Sequence, residues 1–525
     1  MVENLISKTV SRSEKKMIKP KLISFEIGKD KTTDRVKELI GLLHKYWAGQ
    51  SVSMDELLLV GVPVGKRILP KIVEERGITE ILKNIMSSSQ NIKGFEVSGE
   101  INASNGGPSS VGAMAISLDN KQLFSGGKDG VIKITEVEKF LKTGGLKEKK
   151  ARRAATETIE AEISGHERTV NGLVLSSTGQ YLYSGDSRGN IKIIDLEAYQ
   201  QATTPEGKKK AIRTIPAGNY GGWDVETVIV RSPDDKYLYS ARGDGSVIMV
   251  ELETFLRAET EEEREDEIIT IAKSGWGGNE RVYTMAVSPN GKYLSWGNTY
   301  GQVKIVNLKE FLTAETEKKR EKTIKIFGEA VNCTISSVKF SPDGKYLGSI
   351  EGREKLTIID VEAFMRAETE GRLLAAIDNI KSYRFSPAGK YLCVIDQAAN
   401  LSLINLEAFP KAGEAKKEET ATKTINLFVK EEEEYHIDLL AFSPDGRHLF
   451  YTSKRQYHTI LRVIDLEKIL KATTAKEKDS AIKKVDSGFG QGFSFGPLSS
   501  DGKYLYLTNG GQINILRIMR DEEDV

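Results

Sequence analysis

Residues 341 to 350 read SPDGKYLGSI, and near copies of this stretch occur elsewhere in the chain. They include SPDDKYLYSA from residue 232, SPNGKYLSWG from 288, SPAGKYLCVI from 386 and SPDGRHLFYT from 443. Proline presets the second position of a tight turn, and glycine accepts the backbone conformation that closes a hairpin. The stretch therefore predicts a turn between two antiparallel strands, and the chain uses it repeatedly.

The turn recurs at a nearly constant interval. Alignment on the turn glycine, or on the residue that replaces it, gives eight units separated by 45 to 59 residues. A quasi-period of this length is typical of repeat architectures, in which a single unit does not bury its apolar faces alone. The aligned positions are Asn120, Gly179, Asp235, Gly291, Gly344, Gly389, Gly446 and Gly502.

Each unit predicts a four-stranded antiparallel sheet. An alternating run such as ISSVKF (335–340) leads into the turn, KYLGS (345–349) follows it, and a second turn leads into a β-branched run such as VKIV (303–306). A fourth apolar run, such as TIKIF (323–327), is present in seven units. We assign the fourth strand of the last unit to FEVSGEI (95–101), upstream of the first unit, because this closes a ring and removes exposed sheet edges.

The units resemble the WD40-type β-propeller family over about residues 95 to 518. The likeness rests on GHERTV (165–170), SPDGKYL (341–347) and SGDSRGNIKIIDLE (184–197). The resemblance implies a mainly β fold, a closed WD40-like β-propeller of eight four-stranded blades. The chain departs from the family because no strand ends in Trp-Asp, and units five to seven lack the usual glycine turn between their second and third strands. A count of seven blades remains open, while the number of fourth strands favours eight.

Each of the first seven units has an insert between its third and fourth strands. Segments such as LETFLRAET (252–260) and LKEFLTAET (308–316) place apolar residues at helical spacing, which predicts one short helix in each insert. The charged stretch that follows, such as EEEREDE (261–267), is interpreted as a solvated loop. In an antiparallel sheet the first and third connections lie at the same end, so all inserts share one face with the Ser-Pro-Asp-Gly turns.

The fourth-to-first connections lie on the opposite face and differ between units. GNYGGWD (218–224), SGWGGNER (274–281) and SGFGQGFSF (487–495) combine glycine, which permits close backbone approach, with aromatic residues that anchor interfaces. The resemblance implies that this face receives partner peptides. The alternative is that the rings fill gaps between blades. The candidate partner-binding residues are Tyr220, Trp223, Trp276, Arg281 and Phe489.

The first ninety residues follow a different pattern. TTDRVKELIGLLHKYWAG (32–49) has a threonine cap, apolar positions at helical spacing and a final glycine. LLLVGVPVGKRILPKI (57–72) is faintly similar to the closing helices of sterile alpha motif domains. The expected boundaries are a flexible basic segment at 1–31, a small α-helical domain at 32–90, the propeller at 91–518 and an acidic tail at 519–525.

Composition narrows the class of protein. The chain has 525 residues, 39% of them hydrophobic and 29% charged, and lacks the run of about 20 apolar residues that a membrane span needs. Lys and Arg number 76 against 75 Asp and Glu, so no overall positive field favours nucleic acid. The first residues do not read as a secretory signal, and two cysteines, Cys333 and Cys393, cannot form a disulfide framework. We therefore expect a cytoplasmic protein.

The sequence contains no convincing catalytic or metal-binding pattern. GVPVGKR (61–67) has the wrong spacing for a phosphate loop, and the five histidines lack paired ligand spacing. We expect no metal, no cofactor and no enzymatic activity, and favour a scaffold that binds a protein or peptide on a propeller face. The alternative is an enzyme or small-ligand-binding protein acting at the axial channel. Its candidate residues lie near second-to-third turns and are Asp186, Arg242, Asp244 and Asp396.

Overall fold

In the computed structural model of the chain, every described residue belongs to the second of two units, 88–525. The predicted segment at 1–31 and the predicted helical domain at 32–90 lie outside the described residues. The described residues are 92–102, 111–142, 156–159, 169–216, 227–242, 244–273, 280–328, 333–352, 355–367, 373–397, 401–406, 422–425, 434–455, 458–489, 493–500, 502–509 and 512–520.

The described residues form eight four-stranded antiparallel sheets, numbered here in chain order. Strand β1 (Ile92–Asn102) precedes them. Sheet 1 contains β2 (Val111–Ile116), β3 (Gln122–Gly127), β4 (Ile132–Glu136) and β5 (Thr156–Ile159). Sheet 2 contains β6 (Val170–Leu175), β7 (Tyr181–Asp186), β8 (Ile191–Asp195) and β9 (Ile212–Ile215). Sheet 3 contains β10 (Ile229–Arg231), β11 (Tyr237–Ala241), β12 (Val247–Glu251) and β13 (Ile268–Ala272).

The remaining sheets follow the same order. Sheet 4 contains β14 (Val282–Val287), β15 (Tyr293–Asn298), β16 (Val303–Asn307) and β17 (Ile324–Phe327). Sheet 5 contains β18 (Ile335–Phe340), β19 (Tyr346–Glu351), β20 (Lys355–Asp360) and β21 (Leu373–Asp378). Sheet 6 contains β22 (Ile380–Phe385), β23 (Tyr391–Asp396), β24 (Leu401–Asn405) and β25 (Thr422–Ile425). Sheet 7 contains β26 (Glu434–Phe442), β27 (His448–Arg455), β28 (His458–Asp465) and β29 (Ile482–Phe489). Sheet 8 contains β30 (Phe493–Leu498), β31 (Tyr504–Asn509), β32 (Gln512–Arg520) and β1.

The first strand lies at one edge of sheets 1 to 7. In sheets 1 to 7 the strands lie side by side in chain order, so the first and fourth strands are the two edges. First strands of neighbouring sheets contact one another: β2 contacts β6, β6 contacts β10, β10 contacts β14, and β14 contacts β18. Residues that precede these first strands therefore lie beside the edges at which neighbouring sheets contact one another.

Sheet 8 combines the two ends of the described chain. Strand β1 pairs with β32 in an antiparallel register that aligns Phe95 with Ile518. The predicted bounds of this strand are 95–101, and the observed strand is longer at both ends. Because Ile92 pairs with Arg520, β32 continues two residues beyond the expected end of the propeller at 518.

Apolar side chains fill the spaces between neighbouring sheets. Tyr293 and Ile305 of sheet 4, for example, form one cluster with Leu347 of sheet 5. A corresponding cluster joins sheet 8 to sheet 1, where Tyr506 packs with Leu123. Most of the core therefore lies between sheets, which is why a single sheet does not bury its own faces.

The Ser-Pro-Asp-Gly turns of neighbouring sheets also contact one another, and their residues vary in pairs. Where the second turn residue is proline, the fourth turn residue of the next sheet is glycine. A Cβ atom added to Gly291 would lie 3.5 Å from Cδ of Pro233, and one added to Gly344 would lie 3.5 Å from Cδ of Pro289. The proline ring thus packs beside a glycine whose φ is positive.

Where the second turn residue is serine and the next sheet has Asn or Asp at the fourth position, hydrogen bonds replace this packing. The Ser500 N–H donates to Oδ1 of Asn120 (2.9 Å), and Nδ2 of Asn120 donates to Oγ of Ser500 (2.9 Å). The Ser177 N–H likewise donates to Oδ2 of Asp235 (2.5 Å). Serine offers a backbone N–H that proline lacks. The Asn120–Ser500 pair links sheets 1 and 8 across 380 residues of sequence.

We expect Ser500→Pro to lower the free energy of unfolding by about 1 kcal/mol, because it removes the N–H that Asn120 accepts. Combining it with Asn120→Gly recreates the proline–glycine pair, so the double variant should recover most of the loss. Urea denaturation of the four proteins measures the coupling, which we expect to be about 1 kcal/mol. Strictly additive losses would contradict the pairing.

Several inserts contain two helices, where the sequence pattern predicts one. The described helices are α1 (Val137–Lys142), α2 (Leu196–Gln201), α3 (Pro205–Lys210), α4 (Leu252–Arg257), α5 (Glu261–Asp266), α6 (Leu308–Thr313), α7 (Glu317–Lys322), α8 (Val361–Arg366), α9 (Leu466–Lys471) and α10 (Ala475–Ser480). The insert of the sixth unit lies outside the described residues after Leu406. No helix in the described part of the chain is long and apolar enough to cross a membrane.

The interpretation of the charged stretches as loops is wrong in sheets 2, 3, 4 and 7, where they form α3, α5, α7 and α10. Threonine caps these helices: Oγ1 of Thr260 accepts from the Glu263 N–H (3.2 Å), and the Glu263 carboxylate accepts from the Thr260 N–H (3.2 Å). This reciprocal arrangement is a capping box. The Thr-x-x-Glu pattern at 260–263 was therefore the overlooked signal.

Candidate functional site

The face opposite the inserts, called the loop face here, contains the second-to-third turns and the fourth-to-first connections. Three of the predicted partner-binding residues, Tyr220, Trp223 and Trp276, lie outside the described residues. Phe489 is the last residue of β29, where its backbone pairs with Thr459. The remaining candidate is Arg281, and its surroundings are described in full.

Arg281 immediately precedes β14, the strand at one edge of sheet 4, and is partly exposed. Its N–H donates to Oγ1 of Thr299 (3.3 Å), and its carbonyl oxygen accepts from the Thr299 N–H (3.0 Å). Thr299 belongs to the turn between β15 and β16. These two hydrogen bonds hold the backbone of Arg281 against that turn, so the side chain projects from a fixed position.

Sheet 4 differs from sheets 2, 5 and 6 at this position. The same backbone hydrogen bond joins Ser187 to Thr169 in sheet 2, Gly352 to Thr334 in sheet 5, and Gln397 to Asn379 in sheet 6. The residues equivalent to Arg281 are therefore Thr169, Thr334 and Asn379, all of them uncharged. Arg281 adds a positive charge at a position that is neutral in these three sheets.

The residue that precedes Arg281, Glu280, forms a partly buried ion pair with Lys304. The carboxylate of Glu280 accepts from Nδ2 of Asn298 (2.9 Å) and pairs with the ammonium group of Lys304. The Glu280 and Lys304 side chains are only 13% and 15% exposed, so solvent screens this interaction less than a surface pair. This cluster was not predicted from the sequence, although Lys304 within the apolar strand VKIV (303–306) was a signal of a buried partner.

Two of the four residues proposed for an axial-channel site, Asp186 and Asp244, accept hydrogen bonds within their own turns. Oδ1 of Asp186 accepts from the N–H groups of Arg188 (2.9 Å) and Asn190 (3.0 Å). Oδ1 of Asp244 accepts from the N–H (2.8 Å) and the hydroxyl (2.6 Å) of Ser246. Such side-chain bonds to nearby backbone stabilise turns. These carboxylates therefore have a structural role in the turns.

The other two channel candidates lie on separate sheets. Burial lowers the pKa of the Arg242 guanidinium, which follows β11 in sheet 3. Asp396 ends β23 in sheet 6, where its backbone pairs with Ile380. Within the described ranges, no group of three or more His, Cys, Asp or Glu side chains is placed to hold a metal ion.

Two segments of the chain, 99–135 and 157–195, match the profile of the WD domain, G-beta repeat (WD40). These matched repeats, together with the four-stranded antiparallel sheets, are typical of WD40-type β-propeller proteins. No curated protein is similar enough in sequence to count as a relative.

Solved structures with the same fold include Sqt1 from Chaetomium thermophilum. Sqt1 bound to the N-terminus of the ribosomal protein L10 is 14% identical to this chain with a TM-score of 0.51, and the match covers 79% of this chain and 98% of Sqt1. Another structure of the same protein is 16% identical with a TM-score of 0.52 and coverage of 81% and 99%. At these identities the likeness shows the fold.

Proposed function

We propose that the eight sheets are the blades of one closed propeller, and that this propeller is a non-enzymatic scaffold that binds a protein or peptide on its loop face. The pairing of β1 with β32 and the Asn120–Ser500 hydrogen bonds support closure. The apolar cluster between sheets 8 and 1 supports it too. A closed ring leaves no inner strand edge exposed, so the two faces are the broad surfaces on which partners dock.

The observation that carries the binding proposal is the fixed position of Arg281. Its backbone is bonded on both sides to Thr299, and the Glu280–Lys304 pair anchors the residue before it. A side chain projected from a rigid backbone loses less conformational freedom on binding. Arginine and aromatic residues are frequent anchors in interfaces, which suits the proposed set of Tyr220, Trp223, Trp276, Arg281 and Phe489.

The partner is a segment of another protein rather than a small molecule. The carboxylates of Asp186 and Asp244 accept hydrogen bonds within their turns. Among the described residues, the channel hypothesis therefore has no cluster of catalytic or ligand-binding side chains in its favour. Sqt1, a protein of the same fold, is bound to the N-terminus of a ribosomal protein, so this architecture accommodates a protein segment. We also propose a cytoplasmic location and an activity that needs no cofactor, no membrane and no nucleic acid.

The double variant Trp223→Ala/Trp276→Ala is expected to lose a protein partner that co-purifies with the tagged wild-type protein from its native cells. Removing two aromatic anchors should weaken binding by about 30-fold or more. Mass spectrometry of the two purified samples, together with the thermal unfolding midpoint of each, separates lost binding from lost folding. Equal recovery of the partner with a folded double variant would exclude this surface.

Arg281→Glu provides an independent test on a described residue. We expect the charge reversal to weaken binding of the same partner by about tenfold if the partner carries a carboxylate there. Arg257→Glu is the matched control, because Arg257 is an exposed residue of α4 on the insert face. Titration of the recovered partner against the three proteins measures both effects. Equal weakening in the two variants would mean that the effect is not specific to the loop face.

A further inference from the structure

The insert face has a polar cleft between sheet 4 and the first insert helix of sheet 5, α8. Its volume is about 250 Å³, and Met365 and Tyr293 contribute to its walls. Four cationic side chains and two carboxylates line it, which gives a formal excess of two positive charges. The charged residues are Lys292, Lys322, Lys325, Arg366, Glu310 and Glu362.

The Glu362 carboxylate is already bonded on several sides. Oε1 accepts from Nζ of Lys292 (2.7 Å) and from the Tyr293 hydroxyl (3.0 Å), and Oε2 accepts from Nη2 of Arg366 (3.3 Å). The hydrogen bond from Lys292 lowers the pKa of Glu362, and the same bond raises the pKa of Lys292. Glu362 is therefore ionised at neutral pH, and its carboxylate forms ion pairs with Lys292 and Arg366.

The other two cations have no carboxylate partner among the described residues. Nζ of Lys325 donates to the carbonyl oxygens of Ala367 (2.5 Å) and Phe364 (3.3 Å), at the C-terminal end of α8. These carbonyl groups orient the ammonium group but carry no net charge to balance it. Lys322, the last residue of α7, is exposed beside the same cleft. Two positive charges thus remain available at one side of the cleft.

The equivalent place between sheets 3 and 4 has a different charge. The residues at the positions of Lys322 and Lys325 are Asp266 and Ile269, as the helix and strand bounds show. The residue at the position of Glu362 is Lys309. The backbone is repeated between these two interfaces, but the positive cleft is not. Its charge is therefore a property of this pair of sheets rather than of the repeat.

We propose that this cleft is a second docking site, which binds carboxylate side chains of an acidic peptide segment in a partner protein. The ammonium groups of Lys322 and Lys325 receive the incoming carboxylate, and the partly exposed Met365 contacts its aliphatic stem. Glu310 and Glu362 repel a phosphate group, with its higher charge, more than a single carboxylate. The inference depends on the proposed scaffold role only in taking the ligand to be a peptide, and its site lies on the other face.

The test uses the full chain and a short fluorescent peptide of alternating Glu and Gly, with an alternating Gln and Gly peptide as the uncharged probe. Fluorescence anisotropy should show saturable binding of the Glu peptide alone. Lys322→Glu should weaken it by about tenfold, because one attractive charge becomes repulsive. Lys325→Gln should weaken it as well while retaining a donor for Ala367. Lys318→Glu is the matched control, since it reverses an exposed charge on α7 outside the cleft.

Three outcomes would overturn the inference: no binding of the Glu peptide, equal weakening by Lys318→Glu and Lys322→Glu, or stronger binding of inorganic phosphate than of the peptide. The second outcome would indicate diffuse attraction, and the third a general anion site. The Trp223→Ala/Trp276→Ala variant should bind the Glu peptide like the wild type. If the wild-type protein does not bind the Glu peptide while that variant still loses its native partner, the cleft proposal is wrong and the proposed scaffold role of the loop face is retained.

Discussion

Trp296→Ala is expected to lower the free energy of unfolding by about 3–5 kcal/mol. Trp296 lies in β15 and is 1% exposed, packed in a cluster with Tyr239 and Met249 of sheet 3. Truncation removes a large apolar area from the core and leaves a cavity that the rigid sheets cannot fill. Since this cluster joins two sheets, the loss should be cooperative across the domain rather than confined to sheet 4.

Urea denaturation followed by circular dichroism measures this change. Leu312→Ala is the control, because Leu312 is 38% exposed on α6 and should cost less than about 1 kcal/mol. If both substitutions had the same small effect, Trp296 would not be part of the core between sheets 3 and 4.

Gly297→Val is expected to destabilise the protein by about 1–3 kcal/mol, although valine favours strands, because the space beside Gly297 is already filled. A Cβ atom at Gly297 would lie 2.5 Å from Cβ of Ile335, the first residue of β18 in the next sheet. Gly185 has the same role in sheet 2, where an added Cβ would lie 2.6 Å from Cγ2 of Thr227. A side chain of one sheet therefore fills the place that the glycine of its neighbour leaves open.

A second substitution on the opposite sheet tests this explanation. Ile335→Gly alone should be destabilising, because Ile335 is 2% exposed and its side chain is lost from the core. Combined with Gly297→Val it should cost less than the sum of the two, since the loss of Cβ and Cγ2 at residue 335 makes room for the valine, and the valine fills part of the cavity. Thermal unfolding of the four proteins gives the interaction energy. An additive result would show that the two residues do not share one space.

The positions of the strands, their order and the upstream strand that completes the last sheet could be read from the sequence. The reason is that the signals are local: proline and glycine define the turn, and alternation and β-branching define the strands beside it. The second insert helices were missed for a reason of the same kind. Thr260 and Glu263 carry a capping signal that was present but was outweighed by the density of charge around it.

The site was predicted less completely. Glycine and aromatic content indicated the loop face, and Arg281 was included as a charged contact on the same face. Nothing in the local sequence indicated that Thr299 fixes its backbone or that Glu280 pairs with Lys304. The charged cleft was also not predicted, because Lys292 and Glu362 lie 70 residues apart.

The sequence by itself determined the repeated unit, because turn, strand and cap preferences act between residues a few positions apart. Only the tertiary structure decided which residues of different units meet. Asn120 and Ser500 each occupy an ordinary turn position, and their pairing follows from the contact of the first sheet with the last. Ion pairs and interlocking side chains depend on distances of a few ångströms between sheets, which spacing along the chain does not specify.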